Sequence, residues 1–76
     1  MLNMLDRTAL IEFLSARLPE GDDPQRMIFE QARALVEGET GHEGADLMML
    51  QAGESIMQQL ARPFASDPAY LVTWRP

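Results

Sequence analysis

Cysteine and lysine are both absent from this chain of 76 residues. Without cysteine the chain forms neither disulfide bonds nor thiolate metal sites, two common reinforcements of small domains. Without lysine it lacks a lysine nucleophile and the lysine of a phosphate-binding loop. No apolar run approaches the roughly 18 residues of a membrane span, and the amino end shows no signal-peptide pattern. We therefore expect a cytoplasmic protein that uses no cofactor.

Apolar residues, by contrast, are plentiful and make up 46% of the chain. A chain of this length forms one domain, here residues 1–76, and buries only a modest fraction of its surface. We therefore expect part of the apolar surface to face another protein chain. A symmetric homodimer is the commonest arrangement that would cover it.

The net charge of −6 arises entirely within one internal segment, which holds eight acids and two arginines. We call its acids the acidic stretch: Glu20, Asp22, Asp23, Glu30, Glu37, Glu39, Glu43 and Asp46. Binding to nucleic acid or to an anionic membrane requires clustered basic residues, so this charge balance disfavours both. The acidic stretch instead indicates steering toward a protein with a basic surface.

The spacing of hydrophobic residues, together with the residues that cap or end helices, predicts a small all-α domain of three antiparallel helices. Asp6 or Thr8 would cap the first helix, whereas Asp23 and Pro24 open the second. A short turn and an extended aromatic tail complete the chain. The predicted bounds are 6–18, 24–37 and 43–62 for the helices and 63–76 for the tail.

Gly53 lies in the middle of the apolar face of the third predicted helix. Glycine in a helix interior costs about 1 kcal/mol relative to alanine, so its presence indicates close approach by another helix. We expect that approach to come from a second copy, in a homodimer built across the third helix.

The tail segment 70–74 contains β-branched and aromatic residues that would suit a strand. A single strand has no partner within this chain, so the segment either packs on the helices or pairs with another molecule. Two readings of Trp74 carry equal weight: an anchor for a partner protein, or a lid that folds back over one end of the core.

Methionine, tryptophan and arginine favour protein interfaces, because they are adaptable or supply large contact areas. Leu47 and Met48 fall among polar residues, away from the main apolar face. The residues predicted to bind a partner are Leu47, Met48, Gly53, Met57, Phe64, Tyr70, Trp74 and Arg75.

Segment 37–46 gathers four carboxylates and His42, the one histidine, among three glycines. A calcium-binding loop that begins at Glu37 would place Gly41 at its fifth position and Met48 at its twelfth, which does not fit. We interpret the segment as a solvated turn, with a small metal-binding module as the alternative. Because His42 has no serine beside it and the chain has no cysteine or lysine, we predict no catalytic residues and no enzyme activity.

The expected function is that of a small protein-binding regulator or adaptor, of the inhibitor, anti-activator or chaperone type, which occupies a surface of a larger protein. Small acidic phage-encoded inhibitors and antitoxins share this composition. A second hypothesis is a nucleic-acid mimic, in which the acidic stretch imitates phosphates and blocks a basic nucleic-acid-binding protein.

Overall fold

The computed structural model describes residues 2–37 and 47–75, although not the side chain of Leu47. Three α-helices occur in this part of the chain: α1 (Met4–Arg17), α2 (Pro24–Glu37) and α3 (Leu47–Ala61). Two short 3-10 turns follow, at Arg62–Phe64 and Val72–Trp74. The prediction of a small all-α three-helix domain is confirmed.

Helix α1 begins two residues earlier than the sequence predicts, because its cap is Asn3. The Asn3 side-chain oxygen accepts a hydrogen bond from the amide of Asp6 at 2.8 Å. This bond satisfies one of the free amides of the first helical turn. The predicted caps at Asp6 and Thr8 are therefore wrong. The helix ends at Arg17, two residues before Pro19.

Helix α2 has the bounds that the sequence predicts, and its cap is confirmed. The Asp23 side chain accepts a hydrogen bond from the amide of Gln25 at 2.9 Å, and Pro24 is the first helical residue. Helix α3 ends at Ala61, just before the turn that contains Pro63. The predicted start of α3 at residue 43 lies outside the described residues.

Helices α2 and α3 meet at Gly53. A Cβ atom built on Gly53 would lie 2.7 Å from Val36 Cγ2, 2.8 Å from the Ala32 carbonyl oxygen and 3.2 Å from Leu35 Cβ. The close approach that Gly53 indicates is therefore present, but it comes from α2 of the same chain. The predicted homodimer across Gly53 has no free surface there and must be corrected.

The core draws on all three helices and on the segment after α3. Its largest fully buried side chains are Leu10, Leu14, Phe29, Met57 and Trp74. Burying each such side chain contributes about 1.5–3 kcal/mol relative to exposure, so this cluster is a major contribution to the stability of the fold.

The segment after α3 is folded rather than extended. Its residues form a chain of turns, with backbone hydrogen bonds such as Asp67 to Phe64 at 2.9 Å and Tyr70 to Asp67 at 2.9 Å. Trp74 lies in a 3-10 turn, so the strand-like conformation predicted for 70–74 is wrong. Among the described helices, none combines the length and the apolar character needed to cross a lipid bilayer.

The contact at Gly53 makes a specific prediction for Gly53→Ala. Alanine improves helix propensity by about 1 kcal/mol, but its Cβ would collide with the backbone oxygen of Ala32. Overpacking of this kind costs about 1–3 kcal/mol, so we expect a net loss of up to about 2 kcal/mol in the free energy of unfolding. Urea denaturation followed by circular dichroism measures the change.

Ser55→Ala provides the matched control, because Ser55 is exposed on the same helix. This change also improves helix propensity, so we expect unchanged or slightly higher stability. A Gly53→Ala variant more stable than the unmodified chain would contradict the close packing of α2 on α3.

Candidate functional site

Trp74, predicted as a possible anchor for a partner, is only 1% exposed. Its indole N–H donates a hydrogen bond to the carbonyl oxygen of Asp6 at 3.0 Å. Its ring centroid lies 4.9 Å from that of Phe13 and 5.4 Å from that of Tyr70. Of the two readings that the sequence allows, Trp74 follows the one in which it closes one end of the core.

The other predicted partner residues divide between core and surface. Met57 and Gly53 are buried, so their assignment to a partner surface is corrected. Phe64 and Tyr70 are half-buried and pack edge-on against Phe13, at centroid distances of 6.0 and 6.2 Å.

Two of the residues predicted to bind a partner, Met48 and Arg75, lie on the surface. Met48 is 76% exposed at the start of α3, and Arg75 is exposed after the last turn. Leu47 opens α3, and its side chain lies outside the described part of the structure.

The acidic stretch is partly neutralised within the chain. Asp23 caps α2, Glu37 lies 2.8 Å from the Arg33 guanidinium, and Glu30 lies within 4 Å of both Arg33 and Arg26. Glu39, Glu43 and Asp46, together with His42, lie outside the described residues. The remaining two acids of the stretch, Glu20 and Asp22, are exposed around the turn between α1 and α2.

An arginine–carboxylate pair fixes the carboxyl-terminal segment against α1. Arg17 donates two hydrogen bonds to Asp67, at 3.0 and 3.1 Å, and its guanidinium lies 3.9 Å from the centre of the Phe13 ring. Asp67 also accepts a hydrogen bond from the amide of Ala69 at 2.8 Å. The hydrogen bonds from Arg17, followed by the one from Ala69, lower the pKa of Asp67 below its usual value of 3.8.

A second pair, which the sequence analysis missed, fixes the amino end. Glu54 is only 3% exposed, and it accepts hydrogen bonds from Arg7 Nε at 2.6 Å and from the Leu2 amide at 3.2 Å. Arg7 also donates to the Leu2 carbonyl oxygen at 3.2 Å. A signal was available, because Glu54 shares helical spacing with the buried residues Met57 and Ala61.

Between α1 and the fixed carboxyl-terminal segment lies an open groove of about 330 Å³, which we call the α1–tail groove. Its walls come from α1 on one side and from the tail on the other, and the buried rings of Phe13 and Trp74 form its base. The wall residues are Ala9, Glu12 and Arg17 of α1 and Ala69 and Leu71 of the tail. Leu5, one turn before Ala9 on the same side of α1, is 81% exposed. The large apolar side chains of Leu5 and Leu71 therefore lie close to an apolar base, beside the charged side chains of Glu12 and Arg17.

The chemistry of the groove depends on the charged and apolar side chains that line it. Within 2–37 and 47–75, no group of three or more histidine or acidic side chains is placed to hold a metal ion. Glu12 is exposed at the edge of the groove and forms no ion pair within the same part of the chain. The groove can thus bind an apolar segment that presents a basic group to Glu12.

The Arg17–Asp67 pair predicts a pH dependence. Because the pKa of Asp67 is lower in the folded chain than in the unfolded chain, the pair stabilises the fold at pH values above the usual 3.8 and loses this effect as the pH falls through the folded pKa. We expect Asp67→Asn to lower the melting temperature at neutral pH and to have a much smaller effect at the acidic end of the titration. Thermal unfolding across that pH range measures both.

Asp22→Asn provides the control, because it removes one negative charge from an exposed turn. If the two variants changed the melting temperature equally at neutral pH, the stabilising role of the Asp67 pair would be refuted.

The α1–tail groove is the candidate functional site, since it joins an apolar base, exposed apolar edges and one carboxylate available for pairing. Its interpretation as a binding site rests on the contacts within this chain. Comparison with protein-family models, with curated proteins and with solved structures gave no match.

Proposed function

We propose that this chain is a small, non-enzymatic protein-binding regulator or adaptor, which acts in the cytoplasm by occupying a surface of a larger protein. The observation that carries the proposal is the α1–tail groove, where Leu71 is 39% exposed beside the buried ring of Trp74 and Leu5, one turn before Ala9, is 81% exposed. Exposed apolar side chains grouped around a concave base are typical of protein interaction sites.

The groove is formed before any partner binds. Trp74 is tied to α1 through the Asp6 carbonyl oxygen, and Asp67 is tied to Arg17 by two hydrogen bonds. Ordering a loose tail during binding costs free energy. Because this tail is already ordered in the folded chain, binding does not carry that cost. The proposed role of the tail therefore changes from a free aromatic anchor to one wall of a rigid site.

The partner that fits best presents an apolar helix or loop with an arginine or lysine close to Glu12. The chain's net charge of −6 would accelerate encounter with such a basic surface. Only Glu20 and Asp22 of the acidic stretch lack an ion pair or hydrogen bond within the described residues. This local neutralisation favours apolar docking with electrostatic steering over imitation of a phosphate backbone.

Affinity capture from the source cell, followed by calorimetry with the captured protein, tests the proposal. We expect Leu5→Asp and Leu71→Ser each to weaken binding about tenfold or more, because each alters an apolar edge of the groove. Leu5→Asp should preserve the fold, because an acid in the first turn of a helix is favourable.

Met27→Asp is the matched control, since Met27 is 52% exposed on α2 and does not line the groove. Equal binding by all three variants would refute the groove as the site. Loss of binding in high salt, with no effect of Leu5→Asp, would support the nucleic-acid mimic instead. A melting temperature lowered by a chelator would support the metal-binding module.

A further inference from the structure

The α2–α3 pair has one flank that faces α1 and one that faces away. On the near flank, Arg26 donates a hydrogen bond to the Ser15 carbonyl oxygen at 2.9 Å, and Glu54 pairs with Arg7. Residues two positions further along an α-helix point about 200° away. Ile28 on α2 and Ile56 on α3 therefore lie on the flank away from α1, where Ile56 is partly buried against the core.

Further residues extend this far flank along both helices. Leu35 lies two turns after Ile28 on α2, and Met49 lies two turns before Ile56 on α3. Gln31 and Ala52 lie between them and are exposed. We call this surface the outer face: Ile28, Gln31, Leu35, Met49, Ala52 and Ile56.

The outer face is only partly covered by the rest of the described chain: Ile28, Gln31, Met49 and Ala52 are exposed, whereas Leu35 and Ile56 are partly buried. The smallest extent of the molecule is 16 Å. Packed helix axes lie about 8–10 Å apart and each helix has a Cα radius of about 2.3 Å, so two layers span about 13–15 Å. The molecule has room for the α2–α3 layer and the layer of α1 and the tail, but not for a third. Ile28 is accordingly 45% exposed and Met49 38% exposed.

Charge identifies what covers this surface. None of the six residues of the outer face is charged, although the chain carries a net charge of −6. A partner with a basic docking surface would be matched by acids on this face, and it has none. A second copy brings the same charge of −6, so contact is favourable where neither copy presents an acid. An uncharged apolar face is also complementary to itself, as a two-fold interface requires.

We infer that the outer face of α2 and α3 is the homodimer interface of this protein, with a second copy as its occupant. The two α2–α3 pairs then form a four-helix core in which Ile28, Leu35 and Ile56 of each copy are covered by the other. Met49, with its flexible side chain, adapts to the contact between copies. The α1–tail groove stays open on the other side of each copy, so the dimer binds two partner molecules.

Sedimentation equilibrium of the purified chain, from low micromolar to millimolar concentration, tests the inference. We expect a concentration-dependent dimer whose dissociation constant rises about tenfold or more in Ile28→Asp and in Met49→Asp, because each change brings two new charges into a desolvated contact. Met49→Asp places its acid in the first turn of α3, where the helix dipole favours it, so at least one of the variants should stay folded.

Ala16→Asp adds the same charge at an exposed residue of α1, in the other layer of the fold, and it should leave the dissociation constant unchanged. Added salt should leave the dimer unchanged or tighten it, because screening reduces the repulsion between two like-charged copies. A chain that stays monomeric at millimolar concentration would overturn the inference. So would a dimer that dissociates with Leu5→Asp but not with Ile28→Asp.

Because the chain has no native cysteine, a single spin label can be placed on either side. In a mixture with unlabelled copies, a spin label at Gln31→Cys should broaden the amide NMR signals of Ile28, Leu35 and Met49 in the unlabelled copy. A label at Ala16→Cys, on the exposed side of α1, should not. The reverse pattern would assign the interface to α1. Leu5→Asp should abolish partner capture and keep the dimer, so the two proposals fail separately.

Discussion

The missing side chain at Gly53 is the constraint on which the arrangement of the helices depends. It lets α2 lie directly against the backbone of α3, with Val36 and Ala32 where a Cβ atom would stand. Phe29 and Met57 can then meet in the core from opposite helices. Because this contact draws α2 and α3 into one layer, it also determines which side chains face α1 and which form the outer face.

Charged and polar contacts join the other segments of the chain to that layer and to each other. Glu54 of α3 fixes Arg7 and the Leu2 amide at the amino end, whereas Arg17 of α1 fixes Asp67 in the carboxyl-terminal segment. Breaking a buried pair leaves an uncompensated charge. Loss of the Glu54 contacts should therefore destabilise the fold more than loss of an exposed pair along α2. A few directional bonds thus fix the positions of the segments that surround a small core.

Local signals in the sequence were enough to predict the helices. Asp23 and Pro24 act within one turn of the chain, so α2 was predicted with its observed bounds. The start of α1 was displaced because Asn3 and Asp6 are both good caps, and only the observed bond distinguishes them. Composition and spacing carried this information because capping is a local interaction.

Long-range contacts were less predictable, because a sequence does not show whether an apolar residue meets its own chain or another. Gly53 correctly indicated a close helix, but that helix proved to be α2. Trp74 had two equally weighted readings until its bond to the Asp6 carbonyl oxygen was seen. The groove could not be predicted for the same reason, because α1 and Leu71 are brought together only by the fold.

The bond between Trp74 and Asp6 joins residues 68 positions apart in the sequence. During synthesis, Phe13 and its neighbours leave the ribosome long before the residues that will cover them. The nascent chain can form its helices early, but it cannot seal its core until residue 74 has emerged. The core should therefore close only after Trp74 has left the ribosome, and a nascent chain stalled before that point would remain an aggregation-prone, protease-sensitive intermediate.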